Sequence, residues 1–169
     1  VPSPSSKPSR WSLAGAPAIW ASTPICGTSS MVAGPLFGDV PRAAEILSGQ
    51  LARIENPDRK ARFAFIMPAL SGDAAVRERW FLSLSDVANR RREPWVLDGL
   101  DYLHHPLRAS QSAKYLRPSL DLLWEIQKTG DIFFPSRWMD ATLSGHRSPA
   151  VAATVRQFLA EHPEYPVRL

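Results

Sequence analysis

Prolines recur at short intervals along this chain, and they limit how long any regular element can be. The chain has 16 prolines in 169 residues. Proline lacks a backbone N–H, so a helix accepts it in the first turn but is kinked or ended by it further along. Two pairs, Asn56-Pro57 and Ser148-Pro149, join a favoured N-cap residue to a first-turn proline. The pattern predicts short helices separated by short connections.

Apolar residues between these prolines recur three or four positions apart, which is the spacing of one helix face. The first such stripe is preceded by Asp39, a suitable N-cap. Its apolar positions are Ala43, Ile46, Leu47, Leu51 and Ile54. One later helix is expected to end before Pro68, and another to begin after Pro118 and span residues 119–128, with Gly130 as its stop.

Roughly eight short helices and no strand follow from this pattern. Short connections favour antiparallel neighbours. The predicted fold is therefore all-α, an α-solenoid of HEAT-like antiparallel helix pairs over residues 39–169. Residues 1–38 hold no acidic residue and are dense in proline and serine. We expect them to form a poorly ordered segment, because such a composition buries too little apolar surface to offset the entropy of ordering.

Composition excludes some classes of protein. No apolar run approaches the roughly 18 residues that a membrane span requires, so no span is expected. The single cysteine, Cys26, has no partner for an internal disulfide, which favours a cytoplasmic over a secreted protein. The net charge is only +4, and basic and acidic residues are mixed along most of the chain. The densest run of charged residues is Arg90-Arg91-Arg92-Glu93, which lacks the interleaved aromatic residues of a groove that binds single-stranded nucleic acid. We expect a solvated helix edge or a set of interdomain ion pairs there, and no nucleic-acid partner.

The residues that could bind metal lack a ligand pattern. The four histidines are His104, His105, His146 and His162, and none is spaced as in H-E-x-x-H. We expect no metal or other cofactor to be bound by this chain. Residues 129–135, TGDIFFP, are more apolar than a solvated loop requires. Two interpretations stay open: a loop folded into the core, or a docking surface for another domain.

Five blocks of sequence resemble the C-terminal region of bacterial enzymes in the aminopeptidase N family. The resemblance runs from about Pro41 to Leu169, and the blocks fall in the family's order. They are FIMPALS at 65–71, NRRREPWVLD at 89–98, YLHHPLR at 102–108, IQKTGDIFFP at 126–135 and GHRSP at 145–149. Residues 1–38 have no counterpart in it.

The resemblance implies a part of a zinc metallopeptidase that removes N-terminal residues from peptides. In that family a thermolysin-like domain supplies the H-E-x-x-H motif, a downstream zinc-binding Glu and a G-x-M-E-N segment that holds the substrate amine. The C-terminal helical region closes over the catalytic cavity. This chain has neither motif, so no catalytic or zinc-binding residue carries over to it.

We therefore expect a C-terminal fragment that is inactive alone and serves as lid or scaffold. Its partner would be the parent's catalytic domain, which binds the zinc, and it would meet peptide substrate only indirectly. The alternative is a stand-alone α-solenoid module that binds a protein or peptide. The candidate interdomain or substrate-cavity contacts are Arg90, Arg91, Arg92, Glu93, Asp131, Phe133, Phe134, Arg137, His146 and Arg147. In some relatives an arginine of this region reaches the substrate, and Arg92, Arg137 and Arg147 are the candidates.

Overall fold

A computed structural model describes residues 40–165 of the chain, and this part is all-helical, with no strand. The predicted segment 1–38 and the cap at Asp39 lie outside the described residues. Two 3₁₀ turns, Pro106–Arg108 and Ala113–Tyr115, flank one of the shortest helices. The α-helices of the described part are α1 Val40–Arg53, α2 Pro57–Leu70, α3 Ala74–Ser83, α4 Val87–Arg90, α5 Glu93–Leu103, α6 Ala109–Ser112, α7 Leu116–Asp121, α8 Leu123–Thr129, α9 Phe134–Leu143 and α10 Pro149–Glu161.

Side-chain caps fix where several of these helices begin. Asn56 Oδ1 accepts from the Arg59 N–H at 3.0 Å, and Asp73 Oδ1 accepts from the Ala75 N–H at 2.8 Å. Ser148 Oγ accepts from the Val151 N–H at 3.3 Å. Each bond satisfies an amide that the first helical turn leaves without a partner. The predicted starts of α2 and α10 are thereby confirmed, and Asp73 starts α3 in the same way.

Two helix bounds differ from the prediction. Helix α2 continues through Pro68 to Leu70. Because Pro68 lies in the last turn, its missing N–H removes a hydrogen bond only near the end of the helix. The helix expected over residues 119–128 begins earlier, at Leu116, and is interrupted at Leu122 between α7 and α8. Pro118 thus lies in the first turn, where its missing N–H has no helical partner to lose.

Helix α5 lies at the centre of the fold, packed between α2 and α9. Its residues Val96, Leu100 and Leu103 are fully buried. Helix α3 packs on α2, α8 on α9, and α10 on α7. The core around α5 contains Ala69, Trp80, Phe81, Leu84, Tyr115, Leu120, Leu123, Ile126, Phe134, Trp138, Ala141 and Phe158. Helix α1 adds Leu47 to a smaller cluster with Phe63, Ile66 and Leu70 of α2.

A glycine on α5 allows one of the closest contacts in this core. A Cβ atom at Gly99 would overlap the six-membered ring of Trp80. The ring cannot easily retreat, because Trp80 is buried and its Nε1 donates to the Phe65 carbonyl oxygen at 2.9 Å. Gly99 therefore sets how closely α5 approaches α3.

We predict that Gly99→Ala lowers the free energy of unfolding by about 1–3 kcal/mol, the usual cost of overpacking a core. The matched control is Gly49→Ala in α1, where an added Cβ meets no atom within 4 Å. That change should raise stability by up to about 1 kcal/mol, since alanine is the better helix former. Urea unfolding of both variants measures the difference. Equal effects at the two sites would contradict the packing argument.

Candidate functional site

The segment between α8 and α9 forms a tight turn, called here the 130–133 turn. Gly130 ends α8, and its N–H donates to the Ile126 carbonyl at 2.8 Å. Asp131 Oδ1 then accepts from the Phe133 N–H at 2.8 Å, and the Asp131 carbonyl accepts from the Phe134 N–H at 3.0 Å. The aspartate thus holds the turn from both its side chain and its backbone.

Glu93, the first residue of α5, attaches this turn to the centre of the fold. Its Oε1 accepts from the Asp131 N–H at 2.7 Å. A Cβ at Gly130 would come within 2.7 Å of the Phe134 ring and 3.0 Å of the Ile126 carbonyl oxygen. The turn is therefore held by bonds to its own residues and to a helix 38 positions away in sequence.

The apolar residues of the turn divide between surface and core. Ile132 is 84% exposed and Phe133 is 61% exposed, whereas Phe134 is 2% exposed and packs edge-on against Trp138. The core interpretation therefore holds for Phe134, whereas docking by the exposed Ile132 and Phe133 stays a prediction. Phe134 belongs to the core, and Ile132 and Phe133 form an apolar tip that faces solvent.

The arginines near the start of α5 have different surroundings. Arg90 is buried, and its guanidinium donates to the carbonyls of Leu84 and Ser85 and to Glu125 Oε1. Arg91 and Arg92 are exposed. The Arg92 guanidinium lies 4.1 Å from the centre of the Trp95 ring, a cation–π contact. Arg90 therefore serves the fold, whereas its two neighbours remain accessible.

The exposed Arg137 follows the turn at helical spacing, and its N–H donates to the Phe133 carbonyl at 3.2 Å. Through the bond between Glu93 and Asp131, the start of α5 and the start of α9 meet at the turn. We call Arg92, Ile132, Phe133 and Arg137 the turn surface. It combines two cations with two apolar side chains.

His146 and Arg147 lie at the other end of α9. They line an open depression of about 600 Å³ together with Ser136, Met139, Asp140, Leu143 and Ser144. His146 Nε2 lies 2.9 Å from Nδ1 of His104, which is fully buried. The candidate residues thus separate into two groups, one at each end of α9.

The acidic residues near α9 form no metal site. The pKa of Asp101 is raised to about 6, first by burial of its carboxyl and then by the charges of Asp98 and Asp140. Asp98 itself is paired with Arg62. Within residues 40–165, no three His, Cys, Asp or Glu side chains come together as a potential metal site. Burial of the Asp101 carboxyl is thus the main cause of its raised pKa, and the neighbouring carboxylates add to it.

Buried polar side chains are what sequence reasoning missed. Arg77 donates to the carbonyls of Ser71 and Gly72 at 2.7 and 2.8 Å, and Arg108 donates to those of Ala69 and Leu70 at 3.1 and 2.9 Å. Burial and the nearby charge of Arg77 lower the pKa of Arg108 to about 10. Nothing in the apolar pattern marked either arginine, or His104, as buried.

Comparison with known proteins identifies no relative: no protein-family model, curated protein or solved structure matches the chain. Among the described helices, none has the length and apolar character needed to cross a membrane.

We predict that Arg90→Met lowers the free energy of unfolding by about 2–4 kcal/mol. The change leaves the buried Leu84 carbonyl without a donor, a loss that costs about 1–3 kcal/mol, and it also removes the bonds to Ser85 and Glu125. Arg91→Met is the matched control, since Arg91 is exposed and surface changes stay within about 0.5 kcal/mol. Thermal and urea unfolding compare the two. A similarly small effect of both substitutions would show that the hydrogen bonds of Arg90 do not stabilise the fold.

Proposed function

We propose that this chain is the C-terminal helical region of a zinc aminopeptidase of the aminopeptidase N family, and that it docks on the catalytic domain as a lid and scaffold. The catalytic domain binds zinc and removes N-terminal residues from peptides, while this chain shapes access to the cavity. The chain alone has no activity. The single cysteine favours a reducing compartment, and we place the enzyme in the cytoplasm.

The observation that carries the proposal is the exposed apolar tip of the 130–133 turn. Solvated turns rarely present two adjacent large apolar side chains, and exposed apolar groups on a fixed scaffold are typical of interfaces. The bonds of Glu93 and Asp131 hold the turn in one conformation. Docking then costs little ordering entropy, so Phe133 can serve as a preformed anchor for a pocket on the catalytic domain.

The resemblance adds a second line of support. Two of the resembling blocks, residues 89–98 and 126–135, are separated by 27 residues in sequence, yet they meet through Glu93 and Asp131. This contact supports the proposal that the two blocks contribute to one docking surface. The finer part of the fold proposal is that the helices form HEAT-like antiparallel layers, which agrees with α5 packing on α2 and on α9.

The first experiment reads the coding sequence upstream of Val1. We expect an H-E-x-x-H motif and a downstream Glu in the same frame, encoding a zinc-binding domain. The purified chain should show no hydrolysis of aminoacyl-anilides with added Zn²⁺, and turnover should require the upstream domain. Turnover by the pure chain would contradict the proposal, as would an upstream frame without a peptidase domain. The latter outcome favours a stand-alone binding module.

We predict that Phe133→Ser weakens binding of the chain to that separately purified catalytic domain at least about tenfold, as for the loss of a central anchor. Ile132→Ser should act in the same direction. Leu107→Ser is the matched control, because Leu107 is 65% exposed and lies outside the turn surface. Titration calorimetry measures the three affinities, and circular dichroism confirms that each variant is folded. Unchanged affinity for Phe133→Ser would exclude the turn as the docking site.

A further inference from the structure

A pair of histidines joins the end of α5 to the connection between α9 and α10. His104 follows the last residue of α5 and is 1% exposed. Its Nδ1 lies 2.9 Å from Nε2 of His146, which is half-buried at the edge of the depression. The residues are 42 positions apart. This bond is therefore a tertiary contact and not part of a helix.

The same connection also packs tightly on the backbone of His104. A Cβ atom at Gly145 would overlap the His104 carbonyl oxygen. Only glycine permits this approach, and it brings the next residue, His146, within reach of the buried ring. Residues 144–148 are thus fixed to α5 by one backbone contact and one ring-to-ring hydrogen bond.

The burial of His104 indicates which ring nitrogen carries the proton. His104 Nε2 is buried and has no hydrogen-bond partner among the described residues. A buried N–H without a partner is rarer than an unpaired acceptor, so the neutral His104 ring carries its proton on Nδ1 and donates it to His146 Nε2. His146 is then the acceptor, and its own proton sits on Nδ1.

The neighbouring charges do not alter this arrangement near neutral pH. Burial and the charge of His146 lower the pKa of His104 to about 3, and burial lowers the pKa of His146. Both rings are therefore neutral at pH 7. Tyr115 lies edge-on to the His104 ring, and Asp140 and Arg147 line the depression with His146. Asp101 and His105 are the titratable neighbours of His104 in sequence, and the charge of Arg108 acts on His105.

We propose that the His104–His146 pair is an acid-sensitive latch, closed at neutral pH, which releases residues 144–148 from α5 when His146 is protonated. A protonated His146 carries N–H on both ring nitrogens and can no longer accept from His104. His104 can accept from this imidazolium only by moving its own proton to Nε2, which is buried without a partner among the described residues. With its proton kept on Nδ1, two N–H groups face each other across the contact. The imidazolium moves into the depression, where Asp140 supplies a nearby carboxylate. Acid thus opens the side of the depression that Ser144, His146 and Arg147 line.

The sign of the pH dependence follows from the lowered pKa values. A histidine whose pKa is lower in the folded state favours the closed form above its unfolded value of about 6.5. That contribution is lost as pH falls through the folded pKa. The population of the open form should rise by up to tenfold per pH unit for the one proton taken up.

The test is amide hydrogen exchange of the full chain at pH values from 7.5 to 5, corrected for intrinsic rates. Protection of the Ser144 and His146 amides, which bond to Asp140 and Leu143 carbonyls, should fall by up to about tenfold per pH unit between the open-state value of about 6.5 and the lower closed-state pKa of His146, and then level off. Protection of Leu100 in the core should stay constant. A parallel fall at Leu100 would indicate global acid unfolding and overturn the latch.

Two variants test whether the loss of protection in acid depends on His146 or on acid unfolding in general. His146→Gln offers an amide oxygen that accepts from His104 at every pH, so protection of Ser144 should persist to pH 5. His162→Gln is the control, since His162 contacts Glu164 far from the pair, and should behave as wild type. Imidazole ¹⁵N spectra should show His104 protonated on Nδ1. The latch is excluded if His146→Gln keeps the wild-type pH dependence.

Discussion

Buried arginines that cap helix ends are the interaction on which this fold depends. A helix leaves its last four carbonyls without partners, so a fold of short helices has many such groups to satisfy. Arg77 and Arg108 donate to carbonyls at the end of α2, and Arg90 donates to carbonyls after α3. Guanidinium has five donors in a rigid fork, and a cation is favoured at a helix C-terminus. Each arginine therefore allows a helix end to be buried.

Helix starts could be predicted because the interactions that make them are local. Asn56, Asp73 and Ser148 each bond an amide two or three residues away, so sequence alone contains both partners. Helix ends depend on distant residues. Arg108 reaches Ala69 and Leu70 across 39 and 38 positions, and no periodicity records such a contact. The all-α class was thus predictable, whereas the buried arginines were not.

The candidate site shows the same division. Sequence left residues 129–135 open between core and surface, and the boundary falls between Phe133 and Phe134. That boundary depends on Glu93, which holds the turn from 38 positions away. The depression beside α9 depends in turn on His104, whose partner His146 is 42 positions along the chain. The apolar pattern of one helix cannot reveal a contact made by a side chain from a distant helix.

Apolar faces and polar ends therefore have separate roles in this molecule. Helix α5 is held along its length by apolar contacts such as Val96 and Leu100, which are insensitive to pH and charge. Polar contacts hold its two ends to other connections: Glu93 to the 130–133 turn and His104 to the α9–α10 connection. Loss of one of these contacts frees a connection while the helix stays packed. The ends of α5 are thus where the proposed docking partner and the proposed acid latch would act on the surface without unfolding the core.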